Sequence, residues 1–292
     1  MSSAAAPLDP RVNAYRPDLA DASLRGAIDA ERYAEPVPRQ CIRGVVPLLA
    51  APDANARQVS EIRYGEFLDV FELPEEGKRG FAWVQNRSDR YVGYLPYVDA
   101  LSEQIADLSS RISALRTFVY EEPDIKAPLL DELTLGSYVR LGPAEGKFRK
   151  LASGGYVIAA HTAPAGEILA EDYIFTAGRM LNISYLWGGR TPRGIDCSGL
   201  VQLALEIAGI ECPRDSDQQR EAFGKPLPRH WRDMPWKRGD IVFLEPNHVG
   251  FMTGTEHLLH ASGHHMVVTV EPLIDAIFNG GMDIVAAGRP TA

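Results

Sequence analysis

Between residues 198 and 208 the apolar positions Leu200, Val201, Leu203, Ala204, Ile207 and Ala208 fall at helical spacing, and Gly209 follows as a stop signal. The pattern predicts an amphipathic helix that starts beside Cys197. Further on, the run Asp240-Ile241-Val242-Phe243-Leu244 and the alternating run Asn247-His248-Val249-Gly250-Phe251-Met252 flank Glu245-Pro246-Asn247, which has turn chemistry. This reads as a hairpin with His248 opening its second strand, followed by another strand through Leu258-Leu259-His260-Ala261-Ser262. Upstream, from about 40 to 100, short alternating runs such as Glu66-Phe67-Leu68-Asp69-Val70-Phe71 and Tyr91-Val92-Gly93-Tyr94-Leu95 predict a small all-β barrel. Residues 117 to 164 repeat that pattern, with Gly136-Ser137-Tyr138-Val139 and Gly155-Tyr156-Val157-Ile158 as the clearest strands. Residues 8 to 33 offer a helical stripe in Leu19, Leu24, Ala27, Ile28 and Ala30 that Pro36 and Pro38 end, and 101 to 116 read as a helical linker.

At 292 residues, with 45% hydrophobic and 24% charged side chains, the chain reads as an ordinary globular protein of about two domains. A net charge of −9 argues against nucleic acid and against anionic membrane surfaces as partners. The start, with small residues to Ala6 and charges from Asp9 onward, lacks the basic and apolar segments of a secretory signal. Three cysteines far apart do not make a disulfide framework, so a cytoplasmic location is expected.

A thiol in the first turn of a helix sits near unpaired N–H groups and the positive end of the helix dipole, which favour the thiolate. A nucleophile also needs a base, and the base needs a group that fixes its tautomer. His248 and His260 fit these roles, although taken singly a buried capping cysteine or a structural strand histidine is the commoner meaning of such residues. His257, His260 and the adjacent His264 and His265 match no standard metal spacing, so neither a metal nor a cofactor is expected.

Together, Tyr185-Leu186-Trp187-Gly188-Gly189, Asp196-Cys197-Ser198-Gly199, Gly239-Asp240, His248-Val249-Gly250 and His260-Ala261-Ser262 resemble the NlpC/p60 family of cysteine peptidases over about residues 168 to 290. The resemblance implies a papain-like α+β catalytic domain with Cys197 as nucleophile, His248 as general base and acid, and His260 orienting His248. The strand pattern around Trp83-Val84 and Gly93-Tyr94-Leu95-Pro96 resembles bacterial SH3-like domains. The expected organisation is therefore a helical lead (1–36), a first SH3-like domain (37–100), a helical linker (101–116), a second SH3-like domain (117–165) and the peptidase domain (166–292).

The family cuts bacterial cell-wall peptides, and Pro213-Arg214-Asp215-Ser216 is similar to a segment of its γ-D-glutamyl-L-diamino acid endopeptidase branch that holds a free L-Ala amine. By the resemblance Arg214, Asp215 and Ser216 belong to substrate binding, while Asp215 and Ser216 also have the chemistry of a helix cap. Tyr185 is the candidate for oxyanion stabilisation, and Ser198 for lining the same pocket or satisfying a helix N–H. Arg190 and Arg193, in the loop before Cys197, are candidates for a substrate carboxylate. Glu66, Tyr94 and Tyr97 are candidates for substrate contact from the first SH3-like domain. The expected activity is hydrolysis of the γ-D-glutamyl to L-diamino acid bond in free stem peptides, during cell-wall recycling. A secreted wall hydrolase of the same chemistry and a non-catalytic muropeptide-binding protein are the alternatives. The expected partner is a small murein peptide.

Overall fold

In the computed structural model, which describes residues 7–75, 80–228 and 230–290, the chain forms two compact units, 1–107 and 108–292. Within the first unit, strands Val37–Cys41, Val45–Leu49, Gln58–Arg63, Phe67–Glu72, Ala82–Asn86 and Val92–Leu95 curl around a core of Val46, Leu48, Ile62, Leu68, Val70, Val84 and Leu95. Leu101–Ser102 closes the sheet against Val37–Cys41.

The expected helical lead is corrected. Residues 15–34 make a small sheet from Tyr15–Arg16, Leu19–Asp21 and Arg32–Ala34, with one 3-10 turn at Ala22–Leu24. Pro17 has no N–H to give a helix, and Ala14 and Leu19 find better burial against Phe71 and Trp83 than a helical stripe could offer. The Arg16 guanidinium lies 4.5 Å from the Trp83 ring centroid and hydrogen-bonds Asp18 and Glu72, which pins the lead to the barrel.

The expected helical linker is also corrected: its residues serve as strands, one at a sheet edge and two inside their sheets. Leu101–Ser102 completes the first barrel, while Ser110–Ile112 and Arg116–Tyr120 belong to a second set of short strands. The helical reading of 101–116 gives way to strand pairing with partners such as Cys41 and Thr162, which lie far away in sequence and leave no local signal. The pairing scheme of the first barrel recurs here. Val37–Cys41 pairs with Phe67–Glu72 and Leu101–Ser102, as Ser110–Ile112 pairs with Tyr138–Val139 and Thr162–Pro164. Val45–Leu49 pairs with Gln58–Arg63 and Val92–Leu95, as Arg116–Tyr120 pairs with Leu129–Thr134 and Tyr156–Ile158. Gly65 and Gly136, at φ 85° and 86°, occupy the same turn of the two copies, where a side chain would be strained.

The remainder of the second unit is α+β. Helices α1 (Tyr173–Gly178), α2 (Cys197–Ile207), α3 (Ser216–Phe223) and α4 (Leu273–Gly280) accompany strands β1 (Lys225–Pro226), β2 (Ile241–Glu245), β3 (His248–Met252), β4 (His257–Ser262), β5 (Val267–Pro272) and β6 (Asp283–Gly288). Among the described residues the sheet order is β1-β6-β2-β3-β4-β5, with every neighbour antiparallel. Leu200, Val201, Leu203 and Ala204 of α2 pack on Phe243, Val249, Phe251 and Leu259. The opposite side of α2 is covered as well, by Leu135 and by Arg111, which donates to Glu206 at 3.0 Å. Hence α2 is buried nearly all round rather than on one stripe, and it is fixed from both sides. Among the described residues no helix is long and apolar enough to cross a membrane.

Candidate active site

Cys197 is the first residue of α2 and is 7% exposed. Asp196 is the N-cap, its Oδ1 accepting from the Gly199 N–H at 2.7 Å. The same carboxylate accepts from the Gly188 N–H at 2.8 Å and from both terminal nitrogens of Arg214 at 3.0 and 2.7 Å. Gly199 makes this approach feasible: a Cβ there would stand 2.2 Å from the Gly189 carbonyl oxygen.

On the sheet side, β3 and β4 bring His248 and His260 together, with His248 Nε2 2.7 Å from His260 Nδ1 and the rings edge-on at 81°. Gly250 permits the crossing, since a Cβ on it would lie 2.9 Å from that of His260. The backbone of Val249, next to His248, hydrogen-bonds the Cys197 sulfur, so the thiol and the histidine pair share one corner of the domain. Tyr185, half-buried and bridged to Ile195, has its phenol within electrostatic reach of Cys197. Burial and the neighbouring Cys197 and Asp196 raise that phenol well above its usual value, which keeps it a hydrogen-bond donor.

The expectation that the helix start lowers the thiol is corrected for the resting protein. Burial pushes Cys197 up to about 12, with Asp196 adding to the rise, while hydrogen bonds from Val249 and Ser198 and the charge of Arg214 oppose it. Burial pushes His248 down to about 3. Both effects favour a neutral thiol and a neutral imidazole in the resting protein.

Several candidate residues sit elsewhere than expected. Arg214 is 1% exposed and donates to Asp196, to Ser198 Oγ at 2.9 Å and to the Gly189 carbonyl at 3.3 Å, so it braces the start of α2 and does not line a cleft. Ser198 is 6% exposed, with its hydroxyl committed to Asp196 and Arg214 on the same side. Asp215 is the half-buried N-cap of α3, in a capping box with Gln218. Ser216 borders a small cavity together with Asp217, Arg220 and His248. Arg190 is buried 3.7 Å from Glu206, and Arg193 lies 4.0 Å from Glu132, so both answer to carboxylates of the domain itself. Glu66 is buried in its own barrel, where it accepts from Arg63 and Ser88. Tyr94 is half-buried, its hydroxyl accepting from Arg16, and Tyr97 is exposed with Arg43 over its ring. A larger cavity of about 460 Å³, lined by Trp231, Met234, Trp236, Glu256 and Leu273 among others, contains neither Cys197 nor the two histidines.

One buried residue absent from the motif analysis touches the histidine pair. Glu271 of β5 accepts from His260 Nε2 at 2.8 Å through Oε1, and its Oε2 lies 3.2 Å from His265 Nε2 and 3.5 Å from Asn279 Nδ2. In the β4–β5 register His260 faces Thr269 and Leu258 faces Glu271, which sets Glu271 diagonally across from His260 on one face. A carboxylate ending the otherwise apolar run Val267-Val268-Thr269-Val270 was the available signal.

Comparison with known proteins agrees with this architecture. The NlpC/P60 family model matches residues 182–282, and that of the bacterial dipeptidyl-peptidase SH3 domain matches 48–99. Dipeptidyl-peptidase 6 of Lysinibacillus sphaericus is 29% identical over 74% of this chain and 84% of its own length. The γ-D-glutamyl-L-lysine dipeptidyl-peptidase of Bacillus subtilis is 34% identical over 37% of this chain and 38% of its own length. The crystal structure of an NlpC/P60 family protein from Bacillus cereus superposes with a TM-score of 0.71 at 17% identity, over 86% of this chain and 99% of that one, and so shares the fold. Residues 182–282 thus belong to an NlpC/P60 cysteine peptidase domain, and a bacterial dipeptidyl-peptidase SH3 domain precedes it at 48–99.

Proposed function

We propose that the protein hydrolyses the bond between γ-linked D-glutamate and an L-diamino acid in free peptidoglycan stem peptides that begin with L-Ala, in the recycling of released wall peptides. The observation that carries this reading is the His248 to His260 pair meeting the start of α2 at Cys197. The relatives named as dipeptidyl-peptidases support the choice of bond.

Cys197 Sγ attacks the γ-carbonyl carbon as its proton passes to His248, giving a tetrahedral oxyanion. The backbone N–H of Cys197, in the unpaired first turn of α2, and the Tyr185 hydroxyl stabilise that oxygen. The intermediate collapses, the C–N bond breaks, and His248 returns its proton to the departing amine of the diamino acid. Water then gives a proton to His248 and attacks the thioester, releasing L-Ala-D-Glu and restoring the thiol. Asp215, half-buried at the start of α3, is the partner assigned to the ammonium of L-Ala. An acylated substrate lacks the charge and leaves that carboxylate unmatched.

The test is incubation with L-Ala-γ-D-Glu-meso-diaminopimelate and with the same peptide N-acylated on L-Ala, beside a Cys197→Ala control. Cleavage of the free-amine peptide alone, lost in the control, is expected. Equal cleavage of both peptides removes the amine selection and points to a wall hydrolase; no cleavage of either points to a binding protein.

A further inference from the structure

Glu271 is 8% exposed, yet among the described residues no Lys or Arg lies on its carboxylate; its hydrogen bonds go to His260, His265 and Asn279. A buried carboxylate is retained where the donors it meets must be held in one arrangement. Burial raises its carboxyl group, but the hydrogen bonds from His260 and His265 outweigh that and hold it below the usual carboxylate range. Burial lowers His260 and outweighs the upward pull of Glu271. The pair is therefore an ionised acceptor facing a neutral imidazole.

The proton positions follow in sequence. An ionised carboxylate only accepts, so His260 Nε2 carries a hydrogen. A neutral ring with Nε2–H has a lone pair on Nδ1, and His248 Nε2, 2.7 Å away, must be the donor to it. Neutral His248 then keeps its lone pair on Nδ1, the nitrogen not engaged with His260. Without Glu271 both tautomers of His260 are open, and the one with Nδ1–H would turn His248 over to Nδ1–H, which cannot take a proton from sulfur at that atom.

We propose that Glu271 is a positioning residue of the peptidase reaction: its carboxylate fixes the tautomer of His260 and so leaves Nδ1 of His248 as the atom that takes the Cys197 proton. The proposal rests on the roles given above to Cys197, His248 and His260. During attack the S–H proton moves to His248 Nδ1, and the imidazolium still donates through Nε2 to His260, which still donates to Glu271. No proton travels on to the carboxylate. Its negative charge, two hydrogen bonds away, stabilises the imidazolium, and Asn279 and His265 hold its second oxygen so that the first stays on His260.

The test uses the full chain and two readouts that need no peptide: the pH profile of Cys197 alkylation by iodoacetamide, and the ring-nitrogen shifts of His260 by 15N NMR. Glu271→Met removes the acceptor; Glu271→Gln keeps an acceptor oxygen without the charge. The wild type is expected to show His260 protonated on Nε2. Glu271→Met should mix the tautomers, move the alkylation midpoint to higher pH and slow alkylation at neutral pH by about 10–100-fold. Glu271→Gln should keep the tautomer with a smaller slowing, and it replaces the Met variant if that one does not fold. Peptide hydrolysis should fall in kcat with KM unchanged. His260 protonated on Nδ1 in the wild type, or an unmoved alkylation profile in folded variants, overturns the proposal. A shifted profile in a protein that cleaves no stem peptide would sink the substrate assignment and leave the positioning role standing.

Discussion

Replacing Arg214 with Met should destabilise the second unit more than any surface change, because it removes half of a buried ion pair. Arg214 is 1% exposed and donates to Asp196 twice, to Ser198 and to Gly189. Removing one partner of such a pair costs about 3–5 kcal/mol, since the other charge stays buried. Asp196 would keep the N–H groups of Gly188 and Gly199 and the Ser198 hydroxyl, which places Arg214→Met near the lower end of that range. Asp196→Ala leaves the guanidinium with neutral acceptors and removes the cap of α2 as well, so it belongs at the upper end. For a cooperative unit spanning 108–292, about 2–4 °C is lost per kcal/mol, so its calorimetric transition should fall by roughly 6–20 °C. The double variant should be more stable than the sum of the two singles predicts, because no unpaired charge remains. A loss below about 1 kcal/mol for Arg214→Met would refute the reasoning, since only a solvated guanidinium is removed so cheaply.

Further outcomes follow from the same geometry. Asp215→Asn keeps the ability to cap α3 but loses the charge, so KM for the free-amine peptide should rise about tenfold or more while thermal stability holds; an unchanged KM excludes Asp215 from amine binding. Tyr185→Phe should lower kcat by about 10²–10³-fold with little change in KM, as loss of one oxyanion donor does; a change confined to KM would assign Tyr185 to substrate binding instead. Gly199→Ala should cost both stability and rate, because its Cβ meets the Gly189 carbonyl oxygen at 2.2 Å. His248, held down to about 3, and His260, also lowered, are neutral in the fold and protonate when it opens. The stability this brings is complete above the ordinary histidine value of about 6.5 and is lost as pH falls through the folded-state values. Melting temperature should therefore drop below about pH 6.5, less so in His248→Gln. At the alkaline end the raised Cys197 thiol works in the opposite direction: stability declines above about pH 9, and Cys197→Ala removes the decline.

The elements legible in the sequence are those whose pattern is local. The β2–β3 hairpin with His248 at its corner and the helix after Cys197 depend on alternation, turn chemistry and helical spacing within a few residues. The lead and the linker were read as helices because their stripes are equally local, but the linker's strand partners, and the Phe71 and Trp83 that bury Leu19 of the lead, lie roughly 50 to 60 residues away. Arg214 was read as substrate-binding from the resemblance of residues 213–216, and Glu66 as a candidate contact from the first SH3-like domain; both are buried, against Asp196 and Arg63, and burial has no local signature. Glu271 was missed for the same reason, since its partner His260 is reached only through the β4–β5 register. The covering of α2 on both sides likewise depends on Leu135 and Arg111, which lie more than 60 residues upstream of it.

The most direct test of the account is rapid-quench mass spectrometry of the enzyme during turnover of L-Ala-γ-D-Glu-meso-diaminopimelate, with the adduct mapped by peptide. The account predicts a transient L-Ala-D-Glu acyl group on Cys197 that disappears as product forms and is absent from Cys197→Ala. Diaminopimelate release from Cys197→Ala at the wild-type rate, or an acyl group mapped to another residue, would contradict it.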